Sequence, residues 1–221
     1  MYGGCQDPSC VDMGRLQNKA LEVLFESGYH LGGRKWAFPA DPANYREGRR
    51  TRDDIDQIVI HTAEGYTGGL TTFQDPGRGA SAHYAVEWDG TQVQMVADED
   101  VAWHAGGNIG TNDRSIGIEH AGFAYAMQPN TETEWSRPML RSSAKLVARL
   151  ARKYGVPLDR QHIIAHAEVP GQSHTDPGPY WPWARYMTQI RWYYYRPYVL
   201  GAAGALGIGW YLLRRRQKRQ V

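Results

Sequence analysis

The spacing of apolar positions along this chain shifts between a period near four and short continuous runs, and each stretch predicts an element. In "DMGRLQNKALEVLFESG", Leu16, Ala20, Val23 and Leu24 share one face of a helix that starts near Asp12 and ends before Gly28. "IDQIVIHTAEG" is apolar from Ile55 to Ile60, which predicts a buried strand ending at His61. "SAHYAVEWDGTQVQMVADED" holds two β-rich runs joined through Asp89-Gly90, a strong hairpin signal. "SIGIEHAGF" predicts another short strand, with Ile116 and Ile118 on one face and Glu119 on the other. From Met139 to Tyr154 the residues Leu140, Ala144, Val147, Leu150, Ala151 and Tyr154 recur at helical spacing, and Gly155 and Pro157 close that helix. "HIIAHAEV" predicts a further strand, and a helix follows from about Trp181.

Strands mixed with helices in this order predict an α/β domain, a mixed β-sheet flanked by helices, over residues 50–195. Residues 1–49 supply the N-terminal helix and a turn-rich connecting segment. The end of the chain reads differently. "YVLGAAGALGIGWYLL", Tyr198 to Leu213, is sixteen residues without a charge. A spanning helix usually needs about 20 apolar residues, with a range of about 17 to 25. Pro197 and the aromatic run "WYYYRPY" before it suit the headgroup level, so residues 196–213 are read as a C-terminal transmembrane helix and 214–221 as a basic tail. A buried or interfacial hairpin is the alternative. Gly201, Gly204, Ala205 and Gly207 would allow helix-mediated self-association.

Charge changes the picture only locally. The formal net charge is +2, but the last eight residues, "RRRQKRQV", hold five positive charges and no acid, so the rest of the chain sums to −3. That balance gives no case for nucleic-acid binding, and beside an apolar run the basic tail reads as a membrane-topology signal with the lipid bilayer as partner. Cys5 and Cys10 are the only cysteines, which excludes a disulfide framework and a thiolate metal site. "MYGGCQDPSCVDMG" lacks the apolar stretch of a secretory signal.

Three positions carry candidate metal chemistry. His61 ends one predicted strand, His166 ends another, and Asp176 sits in the Pro-Gly-Pro turn of "SHTDPGPYW". Two imidazoles and a carboxylate, with a fourth position left to water, are a ligand set typical of catalytic zinc. Taken singly, each is weak, since a lone histidine at a strand end is more often a structural or surface residue. "HAE" at His166 to Glu168 lacks the downstream P-C-x-x-C of zinc deaminases. The chain has no H-E-x-x-H helix, no G-x-S-x-G elbow and no Walker loop.

"IVIHTAEG", "SAHYAVEWDGTQVQMV", "VAWHAG", "SIGIEHAG" and "AHAEVPGQSHTDPGPYW" occur in that order over about residues 50–190. Together they resemble the type 2 N-acetylmuramoyl-L-alanine amidases, the zinc family that includes phage amidase lysozymes and peptidoglycan recognition proteins, and most of all its AmpD-like branch. The resemblance implies that amidase fold, one zinc ion per chain held by His61, His166 and Asp176, and a catalytic glutamate at Glu119. His174 stands where some relatives carry lysine, and is implied as a second catalytic group that donates a hydrogen bond to an oxyanion. Phage-type relatives place a tyrosine just before the histidine of the "SAH" block, and here Ala82 fills that position. His83, Trp103 and His104 belong to matching blocks and are candidate substrate contacts; His30, His120 and His162 read as ordinary histidines. The implied reaction cuts the amide between N-acetylmuramic acid and the L-alanine of the stem peptide in bacterial peptidoglycan. With the apolar tail, this reads as a membrane-anchored phage lysin held in a host or virion membrane. The rival is a module that binds peptidoglycan without cutting it.

Overall fold

The computed structural model describes residues 39–65, 67–127 and 134–198. The predicted N-terminal helix, Cys5 and Cys10, most of the apolar run and the basic tail lie outside the described residues.

Among the described residues, seven strands form two sheets. β1 (Tyr45–Arg46) pairs antiparallel with β5 (Val101–Ala102). The main sheet takes β2 (Gln57–Ile60), β3 (Tyr84–Val86), β4 (Gln92–Gln94), β6 (Ser115–His120) and β7 (Ile163–Ala165) in the order β4-β3-β6-β2-β7. β3, β6, β2 and β7 run parallel, and β4 closes the edge as the antiparallel arm of the predicted hairpin. A parallel sheet is covered on both faces, so its strands read as unbroken apolar runs. That is why Ile58, Val59 and Ile60, and Ile116 and Ile118, are all fully buried. The hairpin turns through Gly90, whose φ of 92° is open to glycine and strained for other residues.

Three α-helices among the described residues accompany the sheet. α1 (Ile109–Arg114) leads into β6, with Asn108 as its cap accepting from the Thr111 amide. α2 (Arg137–Tyr154) begins at Ser136, whose side chain accepts from the Met139 amide, and ends at Gly155 in the left-handed conformation. It buries Leu140, Ala144, Val147, Leu150 and Ala151, the positions the periodicity marks, against Ile58, Ile116 and Ile118. α3 spans residues 183–198, so it runs through the predicted boundary at 195/196 without a break. Its Tyr186, Met187 and Ile190 join the same core.

Among the described residues no helix is long and apolar enough to cross a membrane. The predicted transmembrane segment falls almost wholly beyond them.

Candidate active site

Parallel strands deliver the chemistry to one end of the sheet. Past Ile60 the pairing of β2 with β6 continues, as the His61 amide donates to the Ile118 carbonyl at 2.9 Å and that of Ala63 to His120 at 3.0 Å. That register sets Glu119 beside His61. β7 lies on the other side of β2 and releases His166 at its end. The Asp176 turn is tied to the same place: its carbonyl accepts from the Ala167 amide at 3.0 Å, and its Oδ2 accepts from the Thr62 amide at 3.3 Å.

His61, His166 and Asp176 thus meet, with one ligand atom from each lying within 4.8 Å of the others. Asp176 Oδ1 stands 3.0 Å from His166 Nδ1, and its Oδ2 stands 3.4 Å from His61 Nδ1. Two donors on a tetrahedral zinc ion, each about 2.0–2.1 Å from it, are separated by about 3.3 Å.

The hydrogen bonds around His61 identify its free nitrogen. Ser115 Oγ donates to the Thr111 carbonyl at 2.6 Å, so it accepts from His104 Nε2 at 3.0 Å. His104 Nδ1 is then bare and accepts from His61 Nε2 at 3.0 Å. His61 Nδ1 is left as a lone pair facing a carboxylate, an arrangement that is repulsive unless positive charge lies between them. His166 Nε2, moreover, is buried without a hydrogen-bond partner. The three residues therefore fit a divalent cation, and His104 with Ser115 orients its first ligand. Gly117 in β6 leaves room for this chain, since a Cβ there would overlap the His104 ring.

A second chain holds the His61 backbone. His120 Nδ1 donates to the His61 carbonyl at 2.9 Å, so its Nε2 accepts from Ser143 at 2.6 Å, and Ser143 accepts in turn from Tyr186. This reaches from the core of α3 to the candidate ligand His61.

A cleft of about 290 Å3 opens over these groups, lined among others by Glu119, Trp103, His104 and His174. One Glu119 oxygen is buried without a partner. Burial first, then the charges of Asp176 and Glu64, push its carboxyl up to about 8. His174 is exposed at the rim; its ring stacks on His166 at 4.3 Å, and its Nδ1 lies 3.9 Å from Asp176 Oδ1. Trp103 forms part of the wall. His83 stands apart: it is fully buried, lines none of the cleft, and accepts at Nδ1 from the Gly117 amide at 3.0 Å.

Two charged lining residues escape the sequence reading. Glu64, in the left-handed region at φ 47°, accepts from the Ala124 amide at 3.0 Å, and Arg78 brings an exposed cation to the cleft. Glu64 falls in the "HTAEG" block, three residues past a ligand, whereas Arg78 sits in a loop without a motif.

Two outcomes follow from the histidines. His104→Phe keeps an apolar ring in place but removes the acceptor for His61 Nε2, and is expected to weaken zinc affinity by about 10–100-fold, read by competition with a chromogenic chelator. Burial also holds His61 at about 4, His83 and His120 at about 3, and His104 well below the usual value. These groups stay neutral in the fold and bind protons in the unfolded chain. Stability is therefore complete above about pH 6.5 and lost as pH falls toward their folded values. Denaturant melts at pH 7, 6 and 5 check this, and a midpoint that does not move would refute it.

Comparison with known proteins gives one consistent result. The profile of a family described as N-acetylmuramoyl-L-alanine amidase matches residues 51–179. Over 171 residues the chain is 32% identical to N-acetylmuramoyl-L-alanine amidase A of Achromobacter lyticus, covering 69% of this chain and 90% of that protein. It is 28% identical over 184 residues to the amidase AmiD of Escherichia coli, covering 76% of this chain and 60% of AmiD. The solved complex of that AmiD with anhydro-N-acetylmuramic acid-L-Ala-D-gamma-Glu-L-Lys is similar with a TM-score of 0.53 and 26% identity, over 65% of this chain and 60% of that one.

Proposed function

The chain belongs to the N-acetylmuramoyl-L-alanine amidase family, and on that premise we propose that its cleft cuts peptidoglycan with a zinc ion held by His61, His166 and Asp176. The observation that carries this reading is the convergence of those three ligands beside Glu119 at the floor of an open cleft. A zinc ion there would supply Lewis acidity and make bound water acidic enough to attack near neutral pH.

The chain's own residues do the rest. Glu119, ionised, accepts a proton from the water that attacks the lactyl carbonyl of N-acetylmuramic acid. His174, exposed on the cleft rim, donates a hydrogen bond to the oxygen that becomes negative. Glu119 then passes its proton to the L-alanine nitrogen, the C–N bond breaks, and a muramic carboxylate and a free stem peptide leave. His104 and Ser115 keep His61 in the tautomer that points Nδ1 at Asp176. Trp103 offers an aromatic wall for sugar or peptide, while the burial of His83 and its bond to the Gly117 amide support a packing role beside β6.

A module that binds the wall without cutting is the competing reading. The complete ligand set and a Glu119 with one buried, unpartnered oxygen favour hydrolysis. Digestion of purified peptidoglycan, with and without chelator, followed by mass spectrometry, decides between them. Stem peptides with a new L-alanine amino terminus, lost with chelator and restored by zinc, are the expected products. Wall binding by zinc-loaded protein without any new amino terminus would establish the binding module instead.

The C-terminal run extends the reading to location. Sixteen uncharged residues between an aromatic segment and "RRRQKR" support a membrane anchor with the basic tail on the cytoplasmic side. Such an anchor suits a phage lysin working at infection or at lysis, held in the host or virion membrane, and the small residues of the run suit helix pairing. Recovery of the full chain entirely in the soluble fraction would overturn the anchor and leave the amidase untouched.

A further inference from the structure

α2 carries Arg137, Arg141, Lys145, Arg149, Arg152 and Lys153 and not a single acid among its 18 residues. Two of these cations serve the fold: Lys153 pairs with Asp98 at 2.7 Å, and Arg152 donates to the carbonyls of Tyr193 and Tyr194. The other four are exposed and follow one another every fourth residue along one face. Like charges at that spacing repel, so the stripe destabilises the isolated domain, and an anionic partner would relieve it.

α3 adds to the same surface. Arg185, Gln189, Trp192 and Arg196 follow a spacing of four, three and four, which keeps them on one edge of the helix. Between the helices lies a groove of about 570 Å3, lined by Arg137, Arg141, Lys145 and Arg185, with Asp89 as the acid among its lining residues. Lys145 lies 5.5 Å over the Tyr193 ring, and Arg141 Nε donates to the Tyr193 hydroxyl at 3.2 Å, so the two helices present their cations together. Toward its end α3 exposes Trp192, Tyr195 and Tyr198, at 60%, 54% and 61%. The chain then continues straight into "YVLGAAGALGIGWYLL".

We propose that the face formed by α2 and α3 is a docking surface for an anionic phospholipid bilayer. Its cations lie against the headgroups, and the exposed Trp192 ring, on the same edge of α3, enters the interface. A hydrated polyanion would use the cations alone. An exposed indole beside them, on a helix that leads into an apolar run, is what a bilayer interface accommodates. The choice of partner rests on the membrane association proposed for residues 198–213, but the surface lies outside that run and is testable apart from it.

The test uses the full chain with vesicles of phosphatidylcholine alone and of phosphatidylcholine mixed with phosphatidylglycerol, at low and high salt. Binding to the neutral vesicles reports the apolar run, and the increment on the anionic ones reports cations. Each cation at an anionic surface is worth about fivefold in affinity. The triple variant Arg137→Gln, Arg141→Gln, Lys145→Gln is therefore expected to lose on the order of 100-fold of the low-salt increment. Its neutral-vesicle binding and its hydrolysis of soluble muropeptide should not change. An unchanged increment overturns the proposal. Trp192→Ser separates lipid from polymer, because it should weaken vesicle binding and leave binding to soluble polyphosphate intact. If it affects neither while the triple variant weakens both, the face belongs to a phosphate-rich polymer and the bilayer proposal fails. Loss of neutral-vesicle binding with the increment intact in the wild type would overturn the anchor alone.

Discussion

Glu119→Gln is expected to slow wall hydrolysis by roughly 10^2–10^4-fold while leaving zinc content and fold in place. Glutamine preserves the shape of the side chain and its place beside His61, and removes only the ability to take a proton. The pH profile of the wild type carries the same information. Metal-free, burial and the neighbouring carboxylates raise the Glu119 carboxyl from 4.5 to about 8. A dication at His61, His166 and Asp176 opposes the Asp176 charge and draws that value back down. Activity should therefore rise with pH along an acid limb whose midpoint lies between those limits, and the residual activity of Glu119→Gln should lack the limb. Stability moves the other way. An ionised Glu119 is disfavoured in the metal-free fold, so the stability it contributes at low pH is lost as pH rises through about 8. Chelated Glu119→Gln should then melt above chelated wild type in alkaline buffer. Full activity in the variant would remove Glu119 from the mechanism.

The parts of this site that were legible in the sequence are those tied to strand ends. Ile55 to Ile60 announces a buried parallel strand, so a histidine that follows it must emerge at the edge of the sheet, and "HIIAH" repeats the logic for His166. That the two emerge side by side depends on β7 pairing with β2 across a hundred residues of chain, and no local pattern encodes that pairing. The family resemblance supplied what spacing could not. It also singles out Glu119, which periodicity assigns only to the opposite face from Ile118.

Supporting contacts were less legible. β1 and β5 are two residues each, too short for alternation to show, and the sequence reads the first as connecting chain. His83 and His104 occupy equally prominent motifs, yet one is bonded to the backbone of β6 and the other to the candidate ligand His61. Their difference lies in which ring Gly117 leaves space for, a tertiary fact. His120 reads as an ordinary histidine, and it binds no ligand. Its bond to the His61 carbonyl, backed by Ser143 and Tyr186, nevertheless makes it part of the scaffold of the site.

His166→Ala separates the cation from the fold that holds it. With His166 gone, His61 and Asp176 remain, too few protein ligands for a catalytic zinc site. Zinc should be absent from the purified variant, and hydrolysis should fall on the order of 10^3-fold, the several kcal/mol that a Lewis acid contributes. Zinc should restore chelated wild type and leave the variant inactive. The fold should suffer much less. In the metal-free protein His166 offers Asp176 one contact at 3.0 Å, and Asp176 keeps the Thr62 amide and its place beside His61. Loss of that partner costs roughly 1–3 kcal/mol, a few degrees in the melting temperature. Added zinc should raise the melting temperature of chelated wild type and not that of the variant, since only a ligand that binds the native state stabilises it. A variant that still binds zinc and still cuts the wall would move the ligand role to another side chain, and His174, stacked 4.3 Å from His166, is the group within reach.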